Sequence, residues 1–221
     1  MGIRKSIFGA VLTGDIVNST KLLPQQESAL IKKLSDPLEQ FLGQSLYEFY
    51  RGDSFQVFME EPGKALQLAL ACRALAISIS ARGGEEEPTV RSDIRISIGI
   101  GEATRPVRNL GLAKGDAFLL SGRQLDQLQQ SEDRLAIGCM EPMANIGFQI
   151  LADYLDSIYK GMTAKQADLI VELLSGTTQQ QAALRLDKSK STVSQLASAG
   201  RWPEIERLLK QYEMLINQLL S

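Results

Sequence analysis

The chain has 221 residues, 44% of them hydrophobic, and a formal net charge of −2, which is the composition of a soluble globular protein with room for one sizeable domain and a small second one. No apolar run approaches the ~20 residues that a membrane span needs. Histidine is absent, which excludes imidazole as a base or metal ligand, so a bound metal would be a hard cation held by oxygens.

The opening segment "MGIRKSIFG" lacks a long apolar stretch before a small-residue cleavage site, and this predicts a cytoplasmic protein. Residues Ile7 to Leu12 form an apolar run too short for a helix, so a strand buried on both faces is expected. The segment "STKLLPQQESALIKKLSDPLEQFL" carries Leu30, Ile31, Leu34, Leu38, Phe41 and Leu42 as a helical stripe, with a bend at Pro37. "SLYEFYRGDSFQVFME" alternates on both sides of Gly52 and Asp53, the pattern of a β-hairpin. "EPGKALQLALACRALAISISA" predicts an amphipathic helix, its apolar run broken at helical spacing by Gln67 and Arg73. After the loop "RGGEEEPTVRS" come a strand with Ile94, Ile96, Ile98 and Ile100 at every second position, a helix over "KGDAFLLSGRQLDQLQQS" and a strand over "RLAIGCM". Cys72 and Cys139, far apart in apolar surroundings, read as buried thiols.

The expected fold class is therefore α+β. Residues 1–142 form a sheet domain that begins as a ferredoxin-like βαββαβ unit with helices on one face, and residues 143–221, where only helical patterns occur, form an all-α domain.

Asp15 closes the first strand in "GDIVNST", and Asp53 sits in the hairpin turn. In such a sheet the two lie side by side, where paired carboxylates repel unless a cation or protons neutralise them. Mg²⁺ or Mn²⁺ with phosphate oxygens is the natural filler. Asp15 as a polar cap at a strand end and Asp53 as a plain turn residue remain the alternative.

"LTGDIVNST", "RGDSFQVF" and "IRISIGIGEA…KGDAFLLSGRQLD" resemble the signature blocks of class III nucleotidyl cyclases, in the family's order, over roughly residues 7 to 139. The resemblance implies metal binding by Asp15, Asp53 and the carbonyl of Ile16. It also implies phosphate binding by the backbone over Ile16, Asn18, Ser19 and Thr20, and phosphoryl stabilisation by Arg123, the one candidate catalytic residue if the domain is active. Lys21 and Lys114 are further candidate phosphate contacts. Where the family reads the base, this chain has Phe49 and Leu112, which read as core residues, and where the family positions the ribose it has Leu119. These departures favour ligand binding over catalysis.

"LSGTTQQQAALRLDKSKSTVSQLASAGRW" has the outline of a helix-turn-helix: a helix capped by Thr178, a short polar turn, and a second helix with Val193 and Leu196 inward. Lys188, Lys190, Ser191, Thr192, Ser194, Gln195 and Arg201 are then the candidate DNA-binding residues. Because few phosphate contacts come from one copy, a homodimer is expected, with Ile205, Leu208, Tyr212, Leu215 and Leu219 as a short heptad seam; packing of that helix onto its own domain is the alternative. The cyclase-like and helical parts together resemble the SatD family. The expectation is a bacterial regulator whose first domain binds a metal and a nucleotide or similar phosphate and whose second binds DNA. A divergent nucleotidyl cyclase and a ligand-free scaffold stand as alternatives.

Overall fold

A computed structural model describes residues 6–17, 19, 28, 30–35, 38–39, 46–50, 52–79 and 92–220. Asn18, Thr20, Lys21, Phe41, Leu42 and Pro37 from the readings above lie outside the described residues.

Five strands build one sheet: β1 (Ser6–Ile16), β2 (Leu46–Tyr50), β3 (Ser54–Met59), β4 (Ile94–Thr104) and β5 (Leu135–Cys139). The order is β2-β3-β1-β4-β5. The β1 strand lies at the centre, antiparallel to β3 and β4, and β5 joins β4 in parallel. The hairpin forms because Gly52, at φ 86°, takes the left-handed turn conformation open to a residue without Cβ. The predicted helix in the second segment is seen as helical residues 30–35 and 38–39, with Leu30, Leu34 and Leu38 buried.

Helices cover both faces of the sheet, which corrects the expectation of one covered face. On one face Leu12, Ile16, Ile94, Ile96, Ile98 and Ile100 pack against α1 (Ala65–Ile79). On the other lies α2 (Asp116–Gln129), above Ser97, Gly99 and Gly101. Small residues at those alternate positions of β4 are the reason: a Cβ on Gly99 would sit 2.2 Å from the Ala117 carbonyl oxygen and 2.5 Å from the Ser121 nitrogen. At Gly99 the helix and strand backbones thus approach too closely for a side chain between them. Thr13 and Ser121 join their hydroxyls at 2.6 Å, and Ser97 donates to the Ser121 carbonyl at 2.6 Å, so the polar groups under α2 are satisfied within the seam.

The remaining helices are α3 (Pro142–Lys160), α4 (Ala164–Leu174), α5 (Gln179–Arg185), α6 (Lys190–Ala199) and α7 (Trp202–Leu220). Thr163 and Thr178 each close a capping box, with Gln166 and Gln181 three residues on. They do not form a separate core. One buried apolar cluster runs from Ala10 and Ile98 through Phe148, Leu155 and Ile170 to Val193 and Ile216. Tyr212 of α7 is fully buried and donates its hydroxyl to the Pro62 carbonyl at 2.9 Å, beside the start of α1. Ile205, Tyr212 and Ile216 pack within this chain, so Ile205 and Tyr212 of the predicted seam are internal contacts, while its Leu208, Leu215 and Leu219 are only partly buried.

Arg73 is fully buried in α1, where the sequence reads as an amphipathic break. Its Nε and Nη2 donate to the two oxygens of Asp93 at 3.0 and 2.9 Å. Its Nη1 stands 2.8 Å from Asp156 Oδ1 of α3 in an ion pair, and the Tyr159 ring lies below the guanidinium, 5.1 Å to the centroid. Burial opposes the charge on Arg73, but the Asp93 and Asp156 carboxylates outweigh it and hold the group above its ordinary pKa. The cluster ties α1, the entry to β4 and α3 together.

Candidate functional site

Asp15 and Asp53 meet at one end of the sheet. Asp15 occupies the penultimate position of β1, opposite Ser54 of β3 and Arg95 of β4. The Ile16 amide donates to the Asp53 carbonyl at 3.0 Å, which fixes the hairpin turn against the end of β1. With period-two alternation, Asp15 shares the α2 face with Thr13, and Gln129 in the last turn of α2 reaches it. Gln129 Nε2 donates to Asp15 Oδ2 at 3.1 Å, and Arg95 Nη1 lies 3.5 Å from the same oxygen. The other oxygen, Oδ1, is buried and has no hydrogen-bond partner. Asp53 is half-buried; its Oδ2 accepts from the Ser19 hydroxyl at 2.8 Å and its Oδ1 from the Ser54 hydroxyl at 3.3 Å.

Burial raises the Asp15 carboxyl above its usual pKa of 3.8. The Gln129 hydrogen bond and the Arg95 charge pull it back, and the negative charge of Asp53 adds to the rise. An ionised carboxylate with one bare buried oxygen costs free energy in this state. A cation shared with Asp53 would remove that cost.

Among the described residues no group of three or more His, Cys, Asp or Glu side chains could hold a metal ion. Two carboxylates and the Ile16 carbonyl do not make an all-protein cage. They do suit Mg²⁺ or Mn²⁺, which are commonly held by one or two carboxylates with the rest of the sphere from water and phosphate oxygens. The donor set and the orphaned Oδ1 fit such an ion.

The other candidate residues are dispersed. Ser19 touches Asp53. Arg123 is exposed on α2; Ser121, Leu125 and Leu128 form the buried side of that helix, so Arg123 points away from the sheet and from Asp15. Leu119 is 48% exposed on the same helix. Phe49 is partly buried against Phe55, at 5.9 Å between ring centroids. Leu112 is 79% exposed, which corrects its reading as a core residue: it lies in the 3₁₀ turn Leu110–Leu112, of which only Leu110 enters the small cluster with Val11 and Phe58. Lys114 accepts the Thr104 amide through its carbonyl, at the Ser6 end of β1, about 30 Å from Asp15 along the strand.

In the carboxy-terminal half, α5 and α6 are joined by a turn over residues 186–189, and Ser189 caps α6. Ala182, Ala183, Val193 and Ala197 are buried, and Leu196 is partly buried against the core. Lys190, Ser191, Thr192, Ser194 and Gln195 are exposed and Lys188 is half-exposed. The Arg201 guanidinium is engaged within the chain, donating to Glu204 and lying 5.0 Å from the centre of the Tyr154 ring.

Arg95 and Gln129, which hold Asp15, were not marked by the sequence reading. A period-two argument places Arg95 beside Asp15 only once the β1–β4 register is known, and no local pattern signals Gln129.

No protein-family model matches the chain, and no curated protein matches it. The solved structures similar to it include a bacterial light-regulated adenylyl cyclase, with 15% identity, a TM-score of 0.44 and coverage of 62% of this chain and 45% of that one. The active GGEEF domain of a diguanylate cyclase from Vibrio cholerae matches with 13% identity, a TM-score of 0.41 and coverage of 61% and 84%. A dimeric guanylyl cyclase domain of the RhoGC fusion protein from Blastocladiella emersonii matches with 18% identity, a TM-score of 0.40 and coverage of 55% and 75%. The chain thus spans less than half the length of the light-regulated cyclase.

Proposed function

We propose that the end of the sheet formed by β1, the β2–β3 hairpin and β4 binds Mg²⁺ or Mn²⁺ together with the phosphate oxygens of a nucleotide, in a ferredoxin-like domain of nucleotidyl-cyclase type. The observation that carries this reading is the buried, unpartnered Oδ1 of Asp15 beside Asp53. Asp15, Asp53 and the Ile16 carbonyl would hold the ion, and the ion would supply positive charge to the phosphates. Gln129 and Arg95 hold Oδ2 and so leave Oδ1 presented. Ser19 and Ser54 orient the Asp53 carboxylate. Binding rather than turnover is favoured, because Arg123 of the same chain does not reach the carboxylates and Phe49, Leu112 and Leu119 offer no polar group to base or ribose.

The test is thermal unfolding of the full chain in Mn²⁺ with each common nucleoside triphosphate. Stabilisation of the parent that Asp15→Asn abolishes supports the reading, whereas equal shifts in both proteins contradict it. A cyclic or linked nucleotide found by mass spectrometry would instead make the domain a divergent cyclase.

A second reading rests on α6, whose exposed Lys190, Ser191, Thr192, Ser194 and Gln195 follow a short turn from α5 as in a DNA-binding helix-turn-helix. On this reading the chain is a bacterial regulator and two copies engage DNA. Fluorescence anisotropy on a pool of labelled duplexes decides it: selected binding that Lys190→Ala with Gln195→Ala weakens would support it, and salt-sensitive binding without any sequence preference would not.

A further inference from the structure

An exposed apolar surface lies between α3 and α7, formed by residues other than those around the carboxylates. These helices run antiparallel: Phe148 meets Tyr212 at 5.6 Å between ring centroids, and farther along α3 the Tyr154 hydroxyl donates to Glu204 near the start of α7. On their solvent side they leave a groove of about 590 Å³ whose lining includes Gly147, Ile150, Tyr154, Leu208, Met214 and Leu215. None of its nine lining residues is charged.

Ile150 is 66% exposed, Met214 64% and Tyr154 39%. One and two turns back along α3, Ile146 and Met143 are 53% and 74% exposed. At roughly 100 Å² or more from each of these five, with Leu208 and Leu215 adding edges, the apolar surface is on the order of 600 Å². That is at or above the largest patch of a typical monomer, about 300–600 Å², and near the roughly 800 Å² that each partner contributes to a stable interface.

We propose that this α3–α7 face is the interface between two copies of this chain. Three observations favour a second copy. The area suits a two-fold dimer. The uncharged lining brings no like charges together when the surface meets itself, as an isologous contact requires. A Cβ at Gly147 would meet nothing within 4 Å, so this glycine leaves open space on the face that exposes Ile146 and Ile150, room for an apolar side chain of a second copy. The contact lies on the outer side of α7, whose inner side holds Ile205, Tyr212 and Ile216 against the chain's own core. It stands independently of the metal reading.

Sedimentation velocity of the full chain over a concentration series tests the proposal. The parent sediments as a dimer at about 10 µM, within the affinity range of interfaces this size. Ile150→Glu and Met214→Glu, each placing a charge on an exposed side chain, weaken dimerisation by about a hundredfold or more, while far-UV circular dichroism stays that of the parent. Leu184→Glu, at a 79% exposed leucine of α5 outside the groove, leaves the dimer unchanged. Concentration-dependent hydrogen exchange of the parent gives a reading free of any substitution, with added protection at 146–154 and 208–218. A monomer at every concentration, which would leave the groove to another protein or an apolar ligand, would overturn the proposal. So would a dimer indifferent to both groove substitutions, or one whose added protection falls elsewhere.

Discussion

Among the described residues, buried charge gathers around Arg73 and around Asp15, and the two clusters differ in how completely each is answered. Around Arg73, both oxygens of Asp93 are taken, Asp93 Oδ1 also accepts the Ile94 amide at 2.8 Å, and Asp156 receives Arg73, the Arg134 amide at 3.1 Å and Lys160 at 2.9 Å. Around Asp15, two donors share one oxygen and the other has none. The first arrangement balances its charges from within and fastens three elements. The second has Arg95 at 3.5 Å from Oδ2 as a partial counter-charge and leaves Oδ1 open to a proton or an added cation. Asp156 Oδ1 also lacks a hydrogen bond, but it faces the Arg73 guanidinium at 2.8 Å; what sets Asp15 apart is an oxygen with neither a hydrogen bond nor a facing counter-charge.

The comparison breaks most visibly at Arg73. Arg73→Met strands Asp93 and Asp156 without their common counter-charge and should cost about 3–5 kcal/mol in urea-induced unfolding, with or without Mn²⁺. A smaller loss, on the order of 1–3 kcal/mol, is expected for Gly99→Ala, because the new Cβ meets backbone atoms of α2 that must shift. As α2 carries Gln129, that variant should also weaken Mn²⁺ binding, whereas Arg73→Met, once folded, should leave it intact. Calorimetric titration separates the two.

The finest distinction is in pH dependence. The raised pKa of Asp15 means that the metal-free fold favours protonation of this carboxyl more than the unfolded chain does. Its contribution to stability is fully present below the unfolded value of about 3.9 and is lost as pH rises through the higher folded value. Asp15→Asn should therefore melt slightly higher than the parent near pH 7, with the difference vanishing near pH 4. Mn²⁺ affinity of the parent should rise over the same window, since metal and proton compete for one carboxylate.

The strands, the hairpin turn at Gly52 and Asp53, the helix over Asp116–Gln129 and the helix capped by Thr178 were legible because their patterns are local: alternation, turn residues, helical spacing and a capping hydroxyl. The approach of Asp15 to Asp53 was legible because a strand end and a hairpin turn must adjoin in this kind of sheet. What stayed hidden depends on register and on long-range packing. Ser97, Gly99 and Gly101 read as the polar side of β4, whereas their small size is what admits a second helix layer. Arg73 reads as a solvent-facing break, but its partners Asp93 and Asp156 lie 20 and 83 residues away. The apolar positions of α7 do not reveal whether they serve this chain or another; Tyr212 is spent internally and Met214 is not.

The central claim is that Asp15 and Asp53 hold a divalent cation, and Mn²⁺ titration followed by electron paramagnetic resonance at neutral pH tests it most directly. The parent is expected to take up the ion, more tightly with a nucleoside triphosphate present, and Asp15→Asn and Asp53→Asn should each lose ten- to a hundredfold in affinity, roughly the effect of removing a ligand or its close support. Equal uptake by the parent and both variants would contradict the account.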